Sequence, residues 1–380
     1  MPISQKTITF VKVFMHFFYI FMAELKKRVV LDLRNLDNPT SGFGQIASNY
    51  ARLFSSYDLP DLKFVFLLPE KGEFDFGDKV ECVRFTKAMR KKNNLLPKGD
   101  LWHSLNQQQK YRRIDDDTKF LLTIHDLNYL REKNWLRQLK HNWVLGRLVR
   151  RADKVTAISQ FVADEVSRVL LRKNGDEKKL EVVYDAVEDI SGKEQSKPAF
   201  ASGRPFFFSI GQIRLKKNFH RLPEMMKQFP DHDLYICGDD HFEAAKIIRN
   251  EIRRNHLTNV FLTGKISDSE RIWLYSHCDA LLFPSQGEGF GLPVIEAMQF
   301  GKPVFIATFT CLPEISGGHA FIWEDLDANK MANKVKESLE TFQKSPEMGE
   351  RAKAYAATFN YESHIARYLK IYREMLDIKQ

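Results

Sequence analysis

The sequence predicts two α/β domains, each built on a doubly wound parallel sheet, joined by a short linker. Short apolar or β-branched runs alternate with longer amphipathic stretches, which is the pattern of parallel strands connected by helices. The chain has 380 residues, 43% of them hydrophobic, so it is long enough to bury two cores. We expect the first domain at residues 26–190, a linker at 191–204 and the second domain at 205–356.

Each domain is expected to contain its own series of strands. The strands of the first series are predicted at residues 29–33, 64–68, 120–125, 154–159 and 180–184. Those of the second series are predicted at residues 206–210, 234–237, 260–263, 280–283 and 303–306. Between them, residues 188–204 are rich in Ser, Gly and Pro and lack periodicity, which is typical of a linker. Residues 357–380 contain a final amphipathic helical run.

The first 25 residues form an apolar extension whose role the sequence leaves open. Residues 8–22 are almost wholly apolar and aromatic, but Lys12 and His16 interrupt them. The stretch falls short of the roughly 20 apolar residues that a membrane span needs, and it has no cleavage site of the signal-peptide kind. An interfacial membrane helix, a packed extension, and translated upstream sequence before a start at Met22 all fit. The last is slightly favoured.

The cysteine content argues against a zinc site, whereas the net charge does not distinguish between kinds of partner. Lys and Arg number 58 and Asp and Glu 49, a net charge of +9, which suits an anionic small molecule, an anionic membrane surface or nucleic acid equally well. The four cysteines lack Cys-x-x-Cys spacing, which indicates reduced thiols in a cytosolic protein rather than a zinc site. The acidic run 115–117 lies beside two arginines and is read as a loop, so no obligatory metal is expected.

The most informative motif lies at residues 284–298, with the sequence PSQGEGFGLPVIEAM. An expected strand leads into it and a helix with a proline in its first turn follows, so the motif lies where a strand's carboxyl end becomes a helix. Ligands bind at such places because the first backbone amides of the helix are unpaired and the helix dipole is positive there. Glu288 and Glu296 can each accept hydrogen bonds from hydroxyls. A phosphate between two polyols, which describes a nucleotide sugar, fits this arrangement.

A second motif opens the second series of strands. Residues 209–218 contain a strand, a turn at Gly211, and then Lys216 and Lys217 before a helix. Cations at this place would neutralise a diphosphate as the sugar leaves, although alone the run also fits a solvated charged surface. Adjacent side chains cannot both point the same way, and Lys217 is expected to make the phosphate contact.

The first domain contributes weaker candidates. Gly42 and Gly44 precede a helix and would allow close approach of a phosphate or an acceptor. His125 and Asp126 end an expected strand, a place from which side chains project into a crevice, and His103 is similar. An isolated histidine there is more often structural than catalytic.

Together these motifs resemble the signature of the family-four retaining glycosyltransferases, the glycosyl transferases group 1, which have the two-domain GT-B fold. The resemblance rests on Glu288 and Glu296 with Gly289, Phe290 and Gly291 between them, on the basic pair after Gly211 and on the His-Asp strand end. It covers about residues 28–376 and is strongest at 209–314. It implies two Rossmann-like domains that face each other across a cleft, with C-terminal helices crossing back to the first domain.

The resemblance also implies roles for individual residues. Glu296 would hold the ribose, Lys216 and Lys217 the diphosphate, and Glu288 with the amides of residues 289–291 the sugar, while His125 would lie over the anomeric carbon. The remaining candidates for donor binding are Gly44, Gly211 and Leu292. Those for acceptor contact or for support of the site are Gly42, His103, Asp126 and Glu314, and Ser159 matches a common serine of the family or only caps a helix.

The expected function is retaining transfer of a hexose from a nucleoside-diphosphate sugar to a hydroxyl of a glycan or lipid-linked glycan, without a metal or other cofactor. GDP-mannose is the first guess for the donor, and a bacterial-type surface polysaccharide or lipopolysaccharide the expected pathway. The alternatives are a GT-B-like nucleotide-sugar epimerase and, with less support, a basic nucleic-acid-binding protein.

One helix bears on both the nucleic-acid alternative and the location. Residues 131–151 are expected to form a basic amphipathic helix that packs its Trp and Leu face on the sheet and turns Lys and Arg outward, to solvent or an anionic lipid surface. The enzyme would then be cytoplasmic and peripheral at the inner face of the cell membrane, with no nucleic acid as partner.

Overall fold

A computed structural model describes residues 26–38, 42–108, 117–171 and 179–379. The apolar run 8–22, with its three alternative interpretations, and most of the acidic run 115–117 lie outside these ranges. None of the described helices is long and apolar enough to cross a membrane.

The first domain contains a seven-stranded parallel sheet. Its strands are β1 Lys27–Asp32, β2 Leu62–Leu68, β3 Glu81–Arg84, β4 Leu101–Ser104, β5 Lys119–Ile124, β6 Lys154–Ala157 and β7 Leu180–Val182. They lie in the order β3-β2-β1-β4-β5-β6-β7, and every pairing is parallel. The order reverses between β1 and β4, and in open parallel sheets the crevice beyond such a reversal is where ligands bind.

The second domain repeats this plan with six parallel strands. They are β8 Phe206–Ile210, β9 Asp233–Cys237, β10 Val260–Gly264, β11 Ala280–Phe283, β12 Val304–Ala307 and β13 Phe321–Trp323, in the order β10-β9-β8-β11-β12-β13. The reversal falls between β8 and β11, the two strands that lead into the motifs at 209–218 and 284–298. The predicted class of two doubly wound parallel sheets is confirmed.

Helices connect and cover the strands. They are α1 Gly42–Ser56, α2 Tyr129–Glu132, α3 Trp135–Arg151, α4 Gln160–Val166, α5 Leu222–Met226, α6 Glu243–Arg254, α7 Asp268–His277, α8 Leu292–Gln299, α9 Leu312–Ile315, α10 Ala328–Lys344, α11 Glu347–Ala356 and α12 Tyr361–Met375. Several begin at a residue whose side chain accepts a hydrogen bond from the first turn, as Ser267 does for α7, which satisfies an otherwise unpaired amide.

The last helix returns to the first domain. Tyr368 and Tyr372 of α12 are fully buried in the same apolar cluster as β1 and β2. The Tyr50 hydroxyl lies 2.7 Å from Nε2 of His364, and Arg373 pairs with Asp61 at 2.6 Å. The chain therefore crosses between the domains twice, which fixes the second domain on the first at two places.

The basic helix α3 presents the opposite face from the one predicted. Its inward contacts are made by Leu145, Gly146 and Val149, which are buried, whereas the Trp and Leu residues of its first half are exposed. The prediction that the Trp and Leu face packs on the sheet is therefore wrong. The cause is that α3 has apolar residues on two sides, and the smaller set packs inward.

Candidate functional site

The loops beyond the carboxyl ends of both sheets meet at Gly289. A Cβ atom placed on Gly289 would lie 1.9 Å from the carbonyl oxygen of His125, so the glycine is in direct contact with the backbone of the first domain. The Ser159 hydroxyl donates to the carbonyl oxygen of Gly289 at 2.8 Å, and the same hydroxyl accepts from the amide of Val162 to cap α4. Ser159 thus caps a helix and also joins the domains.

The turn that precedes α8 needs its glycines for two different reasons. Gly291 has a φ of +98°, which other residues rarely adopt, and a Cβ there would lie 2.6 Å from Leu312. Phe290 buries its ring against Phe359 at 5.6 Å between centroids, so this residue offers its backbone to the cleft. The half-buried Leu292 begins α8, whose first-turn amides are open to a ligand.

Lys217 and Glu288 form an ion pair at this turn. The Lys217 ammonium donates to Oε1 of Glu288, and the two side chains are only 14% and 12% exposed. Lys217 also lies over the Phe283 ring, 5.1 Å from its centroid, and its Nζ would be 3.8 Å from a Cβ on Gly211. The sequence motifs at 209–218 and 284–298 therefore converge on one pair of opposite charges.

Glu296 is held in place by two residues of α7. Arg271 donates to Oε1 and the Tyr275 hydroxyl to Oε2, at 2.7 Å. Burial opposes the charge of Arg271, yet the adjacent Glu296 carboxylate raises the guanidinium pKa above its ordinary value. Since a carboxylate has about four acceptor positions, roughly two remain for hydroxyls of a ligand.

His125 has both ring nitrogens engaged within the first domain. Nε2 donates to the carbonyl oxygen of Leu105 at 2.7 Å, and Nδ1 lies 3.7 Å from Asp185. Burial alone would lower the His125 pKa, but the Asp185 carboxylate outweighs it and raises the pKa above its ordinary value. The raised pKa favours the protonated form of the His125 ring. The backbone carbonyl oxygen of His125 contacts Gly289.

His103 does not line the cleft. It is fully buried, with Nδ1 2.8 Å from the Tyr372 hydroxyl and Nε2 2.8 Å from the Thr123 hydroxyl. Burial lowers its pKa well below the ordinary value. The prediction of acceptor contact at His103 is not supported by this position, which instead secures α12 to the first sheet.

The remaining candidates lie around the cleft in different ways. Gly42 is exposed at the start of α1, and the buried Gly44 lies within its first turn. Asp126 accepts the amide of Asn128 at 2.9 Å and borders the cavity of the first domain. Glu314 reaches across the cleft and accepts the amides of Gln160 and Phe161 at 2.6 and 2.9 Å, so its carboxylate stabilises the start of α4 in the other domain.

Four residues of the site escaped the sequence reasoning. They are Glu132, Asp185, Arg271 and Tyr275. Asp185 follows β7 closely and could have been found as a polar residue beyond a strand's carboxyl end. Arg271 and Tyr275 are four residues apart on α7 and so share a face, but nothing local shows that this face meets Glu296.

A cavity of about 2370 Å³ is lined mainly by residues of the first domain. Gln212, Arg214 and Lys216 of the second domain border one end, where Lys216 pairs with Glu132 of the first domain at 2.7 Å. Ten basic but only four acidic side chains line it. A space of this size and charge suits an anionic ligand.

One group of described residues has metal-ligand spacing. Asp239, Asp240 and His241 follow β9 and bring their ligand atoms within 4.8 Å of one another. Oδ1 of Asp239 lies within hydrogen-bond distance of Nδ1 of His241, at 2.6 Å, and Asp240 forms an ion pair with Arg249. The absence of an obligatory metal stays a prediction.

Comparison with known proteins agrees with these motifs. Residues 191–355 match the family model described as Glycosyl transferases group 1. An uncharacterized glycosyltransferase of Methanocaldococcus jannaschii is 25% identical over 260 residues, which are 68% of this chain and 69% of the relative. The O-antigen chain mannosyltransferase RfbU of Salmonella typhimurium is 23% identical over 248 residues, 64% of this chain and 66% of the relative. The chain thus matches about two thirds of the length of these relatives.

The fold comparison covers nearly the whole chain. HepE of Anabaena, solved in complex with UDP and glucose, superposes with a TM-score of 0.69 at 16% identity, covering 92% of this chain and all of that one. The GT-B fold and the resemblance to the group 1 glycosyltransferases are confirmed.

Proposed function

We propose that this chain, whose second domain is that of a group 1 glycosyltransferase, transfers a hexose from a nucleoside-diphosphate sugar to a hydroxyl of a glycan or lipid-linked glycan. The observation that carries the proposal is the Lys217–Glu288 pair at the glycine turn before α8, where the two domains touch. The Lys217 ammonium, the Glu288 carboxylate and the first amides of α8 lie together at this turn. The ammonium and the amides can bind a diphosphate, and the carboxylate can accept hydrogen bonds from sugar hydroxyls.

The donor would lie with its ribose at Glu296 and its diphosphate at Lys217. Arg271 and Tyr275 fix the Glu296 carboxylate, so its remaining acceptor positions are oriented before the ribose arrives. Diphosphate oxygens would compete with Glu288 for Lys217, and a displaced Glu288 would then be available to the sugar hydroxyls. Lys216 would supply a second cation once it leaves Glu132.

The site would stabilise charge as the sugar leaves. Positive charge develops on the sugar ring and negative charge on the leaving diphosphate, and preorganised groups that match both lower the barrier. The His125 side chain, beside Gly289, would lie over the anomeric carbon and position the sugar, while the lysines would neutralise the leaving diphosphate. We propose retention of configuration, with the leaving phosphate helping to deprotonate the acceptor on the same face, so that positioning supplies much of the rate.

The acceptor would occupy the basic cavity of the first domain. An epimerase acts on the donor alone and needs no second binding space, so a cavity of about 2370 Å³ that reaches Lys216 favours transfer over epimerisation. The excess of basic side chains suits an acceptor that carries phosphate. GDP-mannose remains the first candidate donor, supported by the mannosyltransferase among the relatives.

We place the enzyme in the cytoplasm, at the inner face of the cell membrane. The four cysteines are free, as expected in a reducing compartment. Burial raises the pKa of Cys237 and of Cys278 to about 12, which keeps these thiols protonated and unreactive.

A donor screen tests the proposal. Hydrolysis of GDP-mannose, UDP-glucose and dTDP-glucose is measured with the wild type and with the Glu288→Gln and His125→Ala variants. One donor should be turned over with kcat lowered more than affinity in both variants, since the proposed contacts strengthen in the transition state. Hydrolysis of none of the donors, or variants with wild-type kcat, would contradict the proposed site. Proton NMR of the sugar released from the α-linked donor, recorded before mutarotation, should show the α-anomer first, whereas the β-anomer first would exclude retention.

A further inference from the structure

Helix α3 carries five of the eleven large apolar side chains that the described part of the chain exposes. Trp135, Leu136, Leu139 and Trp143 are 57% to 67% exposed. With about 3.6 residues per turn these positions share one side of the helix. Leu145 and Val149, on the side away from Leu136 and Trp143, are buried against the domain. We call the four exposed residues the α3 stripe. A contiguous exposed apolar surface of this kind marks a site of interaction.

Positive charge borders the stripe. Helix α3 contains Arg137, Lys140, Arg147, Arg150 and Arg151 and no acidic residue. Among the residues that the structure describes, Arg151 has a carboxylate partner, Asp153 at 3.9 Å, and the other four cations have no ion pair. The Arg147 guanidinium lies 4.9 Å from the centre of the Trp143 ring, which places a cation at the edge of the apolar surface.

We propose that the α3 stripe and its cations form a docking surface for an anionic lipid bilayer. Tryptophan and leucine would enter the boundary between head groups and acyl chains, while the cations would bind lipid phosphates, the arrangement of an interfacial helix. The combination of apolar area and charge is the argument for this occupant. A soluble polyanion or the bases of an RNA would not bury the apolar surface of the leucine side chains.

A second copy of the chain is a poorer occupant. In a twofold dimer the same patch faces itself, so the five cations of one helix would approach the five of the other. Like charges across an interface disfavour association. An anionic bilayer supplies the opposite charge instead.

The position of α3 connects this surface to the cavity. Lys140, Trp143 and Arg147 also line the cavity, so its mouth would open beside the bilayer. For the transfer that we propose, an acceptor anchored by a lipid would present its polar head group directly to the cavity. Bilayer docking itself does not depend on that function.

Vesicle binding by the full chain tests the docking surface. The probes are phosphatidylcholine vesicles with and without phosphatidylglycerol, measured by co-sedimentation at low and high salt, with tryptophan emission recorded. We expect binding to the anionic vesicles that weakens with salt, and a blue shift as Trp135 and Trp143 leave water. Binding to neither vesicle overturns the proposal.

Two variants separate the apolar and the charged parts. Leu136→Gln with Leu139→Gln should lower the affinity about tenfold by removing apolar area, and Arg150→Gln about fivefold, since one cation near an anionic surface contributes about 1 kcal/mol. These three residues do not line the cavity. The matched controls are Ile247→Gln on α6 and Lys334→Gln on α10, exposed residues that should leave the affinity unchanged. Wild-type affinity in the leucine variant overturns the proposal.

Other occupants give different results. If Phe17→Gln with Phe18→Gln abolishes vesicle binding while the leucine variant binds normally, the apolar segment near the amino terminus is the bilayer contact and α3 is not. Tighter binding to a single-stranded RNA than to anionic vesicles, or a dimer in light scattering that the leucine variant dissociates, also overturns the proposal. Intact vesicle binding with no activity on any donor would leave the docking surface standing and remove the transferase.

Discussion

Gly289 is one of the points at which the second domain touches the first, so one added methyl group there tests whether catalysis needs the closed cleft. In Gly289→Ala the new Cβ would lie 1.9 Å from the carbonyl oxygen of His125 and 3.3 Å from Ile158. Gly289 is not among the glycines with positive φ, so alanine itself adds no backbone strain. The perturbation is therefore a steric one between domains.

The size of the effect follows from the contact distance. A Cβ is essentially never found closer than 3.0 Å to a backbone atom, and a backbone oxygen cannot rotate away as a flexible side chain can. The two loops must therefore separate by about 1 Å, and a displacement of that size between reacting groups can cost about 100-fold in rate. We expect kcat to fall by about that factor.

The assay compares kcat, nucleotide affinity and melting temperature of Gly289→Ala with those of the wild type. Opening of the cleft relieves the clash without disturbing either core, so the melting temperature and the nucleotide affinity should change little. Gly192→Ala is the matched control, because a Cβ there has no atom within 4 Å. A near wild-type kcat in Gly289→Ala would show that the contact with His125 is not needed for the reaction.

Three further substitutions test the site and its surroundings. Glu296→Ala should weaken nucleotide binding by about 1.5 to 3 kcal/mol, the contribution of hydrogen bonds to an ionised group; unchanged affinity in calorimetric titration, with the fold intact, would remove its role at the ribose. Glu132→Gln removes the ion pair between Glu132 and Lys216. Because this pair is partly exposed, the nucleotide should bind more tightly by at most about 1 kcal/mol. Weaker binding in the same titration would contradict a competition between Glu132 and the diphosphate for Lys216. Burial lowers the pKa of His103 well below its ordinary value, so the stability due to its neutral ring is present above about pH 6.5 and is lost as the pH falls towards the lower pKa of the folded state. His103→Asn should therefore flatten the decrease in melting temperature between pH 7 and pH 5, and an equally steep decrease in the variant would count against this origin of acid sensitivity.

The motifs at 209–218 and 284–298, whose donor binding stays a prediction, could be found in the sequence because most of their geometry is local. The acidic and glycine residues at 284–298 lie within one strand-to-helix turn, whereas Gly211 comes beside this turn because β8 pairs with β11 in the sheet. Local chemistry also gave the two strand series. It did not give β3, an edge strand with a charged residue at each end, or β13, an edge strand of only three residues.

Contacts between elements were the part that sequence could not supply. The face of α3 was assigned by assuming that tryptophan packs inward, but Leu145 and Val149 already fill the inward side. His103 has the same sequence setting as His125, a polar residue near the end of a buried strand. Only the return of α12 over β4 decides that His103 is enclosed while His125 borders the cleft.

The contacts across the cleft fall into two groups that donor binding would affect differently. Lys216 joins the domains through Glu132, and the diphosphate would compete for that same ammonium. Ser159 and Glu314 join them through backbone groups, at Gly289 and at the start of α4, which the donor does not need. Because the charged contact is exchangeable and the backbone contacts are not, the loops can admit a diphosphate while Gly289 stays against the first domain. The glycine turn can thus serve as both donor site and domain interface, which is why an extra methyl group at Gly289 should affect turnover more than binding.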